Sequence, residues 1–149
     1  MPAIEGRTKL AKLDFFLRYP RFLERAENEL QLRDAPATLY RATGPEVEAP
    51  MIRYRFGPWD TRYRQFLTFL QARQLIRITR GTPEKVTLTA QGRNMAVRLE
   101  DSETFQPIVE RCDAMSDNLA RMSGTALKDL VYKLFPDEVV QLPMRGEIQ

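Results

Sequence analysis

Between Asp60 and Thr89 the chain passes through an amphipathic helical segment, a short β-patterned run, a tip dense in turn residues and a second β-patterned run. That succession constrains the fold more than any other stretch. Tyr63, Phe66, Leu67 and Leu70 recur at helical spacing and form one apolar face, with Asp60 placed to cap it. Leu75, Ile76 and Ile78 suit a strand, Arg80 to Lys85 contains Gly81 and Pro83, and Val86 to Thr89 runs back. Helix, strand, basic loop, strand is the layout of a winged helix-turn-helix. The expected fold class is therefore mainly α (α+β): a winged helix-turn-helix core with N-terminal helices, a small β-wing and C-terminal helices. Residues 1–100 would form the winged-helix-like domain, and residues 101–149 a helical extension packed on it.

The flanks supply those helices. Leu10, Leu13, Phe16 and Leu17 mark a first helix with Thr8 as its cap, and Tyr19-Pro20 breaks the run. Phe22, Leu23, Ala26 and Leu30 mark a second, ending near Arg33. Residues 35–50 hold three prolines and Gly44 and read as a connection. Ile52, Tyr54 and Phe56 alternate with Arg53 and Arg55 as a strand does, and Gly57-Pro58 is expected to turn the chain. Thr89 caps a helix containing Ala96 and Leu99. A longer amphipathic helix carries Phe105, Ile108, Val109, Cys112, Met115, Leu119 and Met122 on one stripe, read either as core or as a dimer seam. Gly124 suits its C-terminal cap, Thr125 starts a last helix, and Phe135-Pro136 ends it. From Val139 onward periodicity fades, as in a tail that extends or orders on a partner.

Composition removes whole classes of chemistry. The 149 residues include no histidine and one cysteine, which rules out an internal disulfide, a Cys/His zinc site and the Ser-His-Asp and Cys-His arrangements. Cys112 falls on an apolar stripe and is expected to be buried and inert. No glycine-rich phosphate cradle or metal cluster is evident, and Asp113 with Asp117, or Asp137 with Glu138, read as solvated surface. No catalytic, cofactor-binding or metal residue is assigned, so the chain is read as no enzyme, with no cofactor and no small-molecule substrate. No uninterrupted apolar run exceeds three residues, as at Phe15-Phe16-Leu17, and the N-terminus lacks an h-region. A cytoplasmic protein away from membranes is expected.

The net charge of +3 hides an asymmetry. Residues 51–98 carry ten basic and two acidic side chains, and residues 99–149 five basic and ten acidic. A basic middle suits nucleic acid or an acidic protein surface. Arg62 and Arg64, with Thr68 and Gln71, lie off the apolar face of the Tyr63–Leu70 helix, while Arg77, Arg80 and Lys85 sit on or beside the wing and Arg53 and Arg55 on the earlier strand. These seven basic residues are candidate contacts to DNA or an acidic partner, with a solvated basic face as the plain alternative. Phe15, Phe16 and Tyr19 cluster at the proline break and Trp59 precedes a helix. Each is either core or a partner interface.

Lys12-Leu13-Asp14-Phe15-Phe16-Leu17 resembles the opening motif of the middle components of prokaryotic ABC-three-component systems. Arg55-Phe56-Gly57-Pro58-Trp59-Asp60-Thr61-Arg62-Tyr63 is similar to a second motif of that family, as are Leu88-Thr89 with Gly92 and Ala96, and Gly124 to Tyr132 followed by Phe135-Pro136. The resemblance covers most of the chain apart from residues 35–50 and the tail, and the order of the motifs is more persuasive than any one. It implies a non-catalytic subunit of a Lamassu-type anti-phage defence complex, bridging or restraining an SMC-like ABC ATPase and an effector. The alternative from the residues alone is a free-standing winged-helix DNA-binding regulator, a homodimer.

Overall fold

The computed structural model describes residues 3–30, 51–54 and 57–148. It is mainly helical, with two small antiparallel sheets. In chain order come β1 (Ile4–Glu5), α1 (Arg7–Arg18), α2 (Pro20–Glu29), β2 (Ile52–Tyr54) and β3 (Gly57–Trp59). Then follow α3 (Tyr63–Ala72), β4 (Ile76–Thr79), β5 (Lys85–Leu88), α4 (Ala90–Glu100), α5 (Gln106–Ser116) and α6 (Gly124–Leu134). Residues 35–50, expected to be a connection, lie outside the described residues.

Helix α1 is the centre of the molecule. Ala11, Leu13, Phe15 and Phe16 are buried on several of its sides, as a helix must be when other elements surround it. α2, β3, α5 and α6 pack around it. Gly6 occupies the capping position at φ 87°, a left-handed conformation that L side chains resist, and donates its N–H to Glu84 O at 2.8 Å. Thr8, expected as the cap, therefore sits inside the first turn. Pro20 fixes the first turn of α2, which explains the break after Tyr19. Across that break Phe15, Phe22 and Phe135 form a cluster, with Phe15 and Phe22 stacked at 5.2 Å and Phe22 and Phe135 at 4.7 Å.

This core runs from Ala11 to Ile148 and takes in residues from both sides of residue 100. Phe15, Phe16 and Tyr19 belong to it. They are fully or almost fully buried, so within the folded chain they offer no surface to a second subunit. A separate, smaller cluster of Leu67, Ile76 and Val86 joins α3 to the β4–β5 hairpin, with Leu10 of α1 against it.

Gly57-Pro58 does not turn the chain. Both residues lie in β3, where Pro58 faces Arg53 and Gly57 faces Tyr54. Proline is tolerated because Arg53 spends its backbone groups on the other edge: its N–H donates to Gly146 O and its carbonyl accepts from Arg145 N. The tail that supplies these partners is docked. Ile148 is fully buried and donates its N–H to Met51 O at 2.8 Å, and Glu147 bridges to Ile52.

β5 pairs antiparallel with both β4 and β1, giving the order β1-β5-β4. Thr89 caps α4 as expected, its Oγ1 accepting from Gly92 N at 3.0 Å. The stripe from Phe105 to Met122 is not one helix. A 3-10 turn at Glu103–Phe105 precedes α5, and a second at Leu119–Arg121 follows it. Cys112 is exposed, not buried. Gly124 begins α6 instead of ending the helix before it, and Ser123 Oγ caps it by accepting from Ala126 N at 3.0 Å. Among the described residues no helix is long and apolar enough to cross a membrane.

Candidate binding face on α3 and the β4–β5 hairpin

A buried charge network fixes where α3 begins. Asp60 is 5% exposed. Its carboxylate accepts from Arg18 Nη1 at 2.7 Å, from Arg62 Nη2 at 2.8 Å and from the Arg62 backbone N–H at 2.8 Å. Asp14 accepts from Arg18 Nη2 at 2.8 Å and from the Tyr63 hydroxyl at 2.6 Å. Asp60 thus closes a turn back onto Arg62 instead of capping deeper in the helix, which has no side-chain cap. Desolvation pushes the Asp60 carboxyl up, but the hydrogen bonds from Arg62 and Arg18 outweigh it and hold it far below the usual carboxylate range. Burial, then the Asp14 charge, pushes the Tyr63 hydroxyl well above its ordinary value.

The rest of α3 is thinly covered. Only Tyr63 and Leu67 are buried, while Phe66 is 40% and Phe69 56% exposed. Phe66, expected on the inner face, therefore lies at its edge. At 100° per residue, Arg62, Phe66, Phe69 and Arg73 fall at i, i+4, i+7 and i+11 on one flank. The contacts agree: the Arg62 guanidinium lies 5.0 Å from the Phe66 ring centroid and that of Arg73 5.3 Å from Phe69. Sequence reasoning missed Phe69 and Arg73. The signal was present, because Phe69 falls outside the Tyr63–Leu67–Leu70 face.

The basic candidates divide. Arg62 joins the flank while tied to Asp60. Arg64, on the opposite flank of α3, is exposed, as are Arg77 and Arg80 on the hairpin. Lys85 is exposed at 3.9 Å from Glu5. Arg53 is turned away, its Nη1 donating to Leu142 O at 2.8 Å under the docked tail, and is withdrawn from the candidate contacts. Arg55 lies outside the described residues. Trp59 is half-buried with its ring edge-to-face on Tyr63 at 5.1 Å. α4 adds Arg93 and Arg98 and keeps Met95, Val97 and Leu99 exposed, with only Gly92 buried. A cleft of about 470 Å³ between the end of α3 and the start of α4 is lined by Gln71, Arg77 and Gln91 among others.

Among the described residues no group of three or more Cys, Asp or Glu side chains is placed to hold a metal ion. Comparison with family models, with curated proteins and with solved structures gives no match.

Proposed function

We propose that this chain is a non-catalytic winged-helix adaptor whose α3 flank docks a larger protein partner. In this reading β1, β5 and β4 are the three-stranded sheet of the winged helix, the β4–β5 hairpin is the wing and α3 holds the position of a recognition helix. The observation that carries the proposal is the exposed Arg62-Phe66-Phe69-Arg73 flank. A helix that reads a major groove presents hydrogen-bonding side chains to base edges. Two exposed phenylalanines bracketed by arginines instead match the core of protein interfaces, where aromatics and arginine are enriched. The resemblance to ABC-three-component middle components makes the partner an SMC-like ATPase in a cytoplasmic anti-phage complex, with an effector as third subunit.

The exposed Arg64, Arg77, Arg80 and Lys85 favour a second function for the other flank and the wing, non-specific contact with DNA phosphates. The test is purification of the tagged chain from its native gene cluster, as wild type and as Phe66→Ser/Phe69→Ser. An ABC-type ATPase recovered in fixed ratio by the wild type and lost by the variant supports the adaptor. A homodimer that binds one operator sequence, with no ATPase, sinks it and promotes the regulator.

A further inference from the structure

The N-termini of α1 and α6 meet beside a cavity of about 500 Å³. A Cβ added to Gly124 would lie 3.7 Å from Lys9 Cβ, 3.9 Å from Thr8 Oγ1 and 4.0 Å from the Lys9 backbone nitrogen, so the first turns are in contact. In α1 the first helical bond runs from Leu10 N to Gly6 O, leaving the N–H groups of Arg7, Thr8 and Lys9 without an intrahelical acceptor. In α6 Ser123 satisfies Ala126 N and Leu127 N, leaving those of Gly124 and Thr125. Two helix dipoles therefore present their positive ends to one space.

The same space holds three lysines, Lys9, Lys12 and Lys128, against one carboxylate, Glu5, so its lining carries three positive charges less one, a net of +2. Glu5 stands at the exposed rim, 3.9 Å from Lys85. Lys12 is the second, independent sign. It is only 2% exposed, its Nζ donates to Thr8 O at 3.1 Å, and no carboxylate among the described residues pairs with it. Its charged neighbour is another cation: desolvation, then Lys128, pulls the Lys12 ammonium down to about 8. Lys128 Nζ lies 5.9 Å from the Tyr132 ring centroid and pairs with no acid among the described residues. A buried, uncompensated ammonium is costly, and an anion beside it removes the cost.

We infer that this cavity binds a phosphoryl anion, held by the Lys12 and Lys128 ammonium groups and the free amides of Thr8, Lys9, Gly124 and Thr125. Free phosphate and the terminal phosphate of a nucleotide share that chemistry. The volume exceeds what phosphate alone fills and lies in the range of small-molecule sites. The site shares no residue with the α3 flank, so it stands or falls separately from the adaptor reading.

The test is a ¹H–¹⁵N titration of the full chain with sodium phosphate and with ATP, each against sodium chloride of equal ionic strength. Saturable shifts at Lys9, Gly124 and Thr125, weakened about tenfold or more in Lys12→Met and in Lys128→Met, are expected. Tighter binding of ATP identifies a nucleotide, and equal binding identifies the phosphate group alone. If Lys12→Met does not fold, Lys128→Met and the wild-type shift map decide. Shifts that chloride reproduces, shifts mapping elsewhere, or an unchanged affinity in Lys128→Met overturn the assignment.

Discussion

Arg18 of α1 and Asp60 at the entrance to α3 form a 2.7 Å ion pair with side chains 7% and 4% exposed, which ties the central helix to the lobe that carries the candidate binding face. Asp60→Asn takes away one of the two carboxylates that face Arg18 and leaves the pair with Asp14, so it is expected to cost about 1–3 kcal/mol. Because the Asp60 carboxyl is held below its ordinary value, the stability it contributes is fully present above the unfolded value of about 3.9 and is lost as pH falls below that. Urea unfolding at pH 7 and pH 3 checks both parts. The wild type should lose stability in acid, and the variant should lose less.

Gly92 gives a prediction whose sign is diagnostic. In a solvated helix, Gly to Ala gains about 1 kcal/mol. Here an added Cβ would fall 1.9 Å from Leu75 O and 3.2 Å from a Leu88 methyl, and backbone cannot give way as a side chain can. Leu75 O also accepts Thr89 N, the residue that caps α4. Gly92→Ala is therefore expected to destabilise by about 1–3 kcal/mol. A stabilised variant in denaturant melts would mean that α4 does not pack against the α3–β4 junction.

What the residues announce and what they conceal follow from where the determining chemistry lies. The break at Tyr19-Pro20, the Thr89 cap and the strands on either side of Gly81 were legible because each is set by a few neighbouring residues. Gly57-Pro58 looked like a turn because its strand character depends on a tail far along the chain that occupies the other edge of Arg53. The Phe105–Met122 stripe kept helical spacing through two 3-10 turns, so periodicity hid the breaks that Pro107 and Asn118 mark. Of the candidate face, Arg62 was legible by charge, while Arg73 beyond the apolar run was passed over. The place of Phe69 off the Tyr63–Leu67–Leu70 face was legible from spacing, but its exposure was not, since that depends on which elements cover the helix. The Lys12 cavity was invisible for the same reason, joining helices from opposite ends of the chain.

The two kinds of phenylalanine should separate cleanly by experiment. Phe69 is more than half exposed, so Phe69→Ser should change stability by no more than about 0.5 kcal/mol while weakening the proposed partner complex. Phe16, fully buried against Phe15 and Phe135, should cost about 3–5 kcal/mol as Phe16→Ala. Equal losses of stability from both would mean that the α3 flank is covered within the chain.

Lys12 predicts an alkaline effect. Its ammonium sits at about 8 in the folded chain, against 10.5 for the free side chain, so between those values the unfolded chain binds more protons. Folding stability should therefore rise with pH from about 8 to about 10.5, by on the order of 3 kcal/mol. Lys12→Met should be the more stable protein at pH 7 and should show a flatter profile. Lys9, Lys128 and Glu5 face the same cavity and remain in both proteins, which confines the difference to Lys12. Saturating phosphate should flatten the wild-type profile as the substitution does, because a bound anion restores the charged form.

The tail offers a test by coupling. The Tyr19 hydroxyl donates to Ile148 O at 2.7 Å and accepts from Met51 N at 3.0 Å, so one buried side chain satisfies backbone groups from two distant segments. Tyr19→Phe deprives both groups of this partner at once and should cost about 1–3 kcal/mol. Removing residues 142–149 takes away Ile148 and also exposes the Arg53 edge of β2. In the shortened chain Met51 N can reach water, so adding Tyr19→Phe should cost much less than it does in the full chain. Denaturant melts of the four proteins give the coupling energy directly. A strictly additive pair would mean that the tail is not docked through Tyr19 in solution, and that Arg53 is free to rejoin the basic surface.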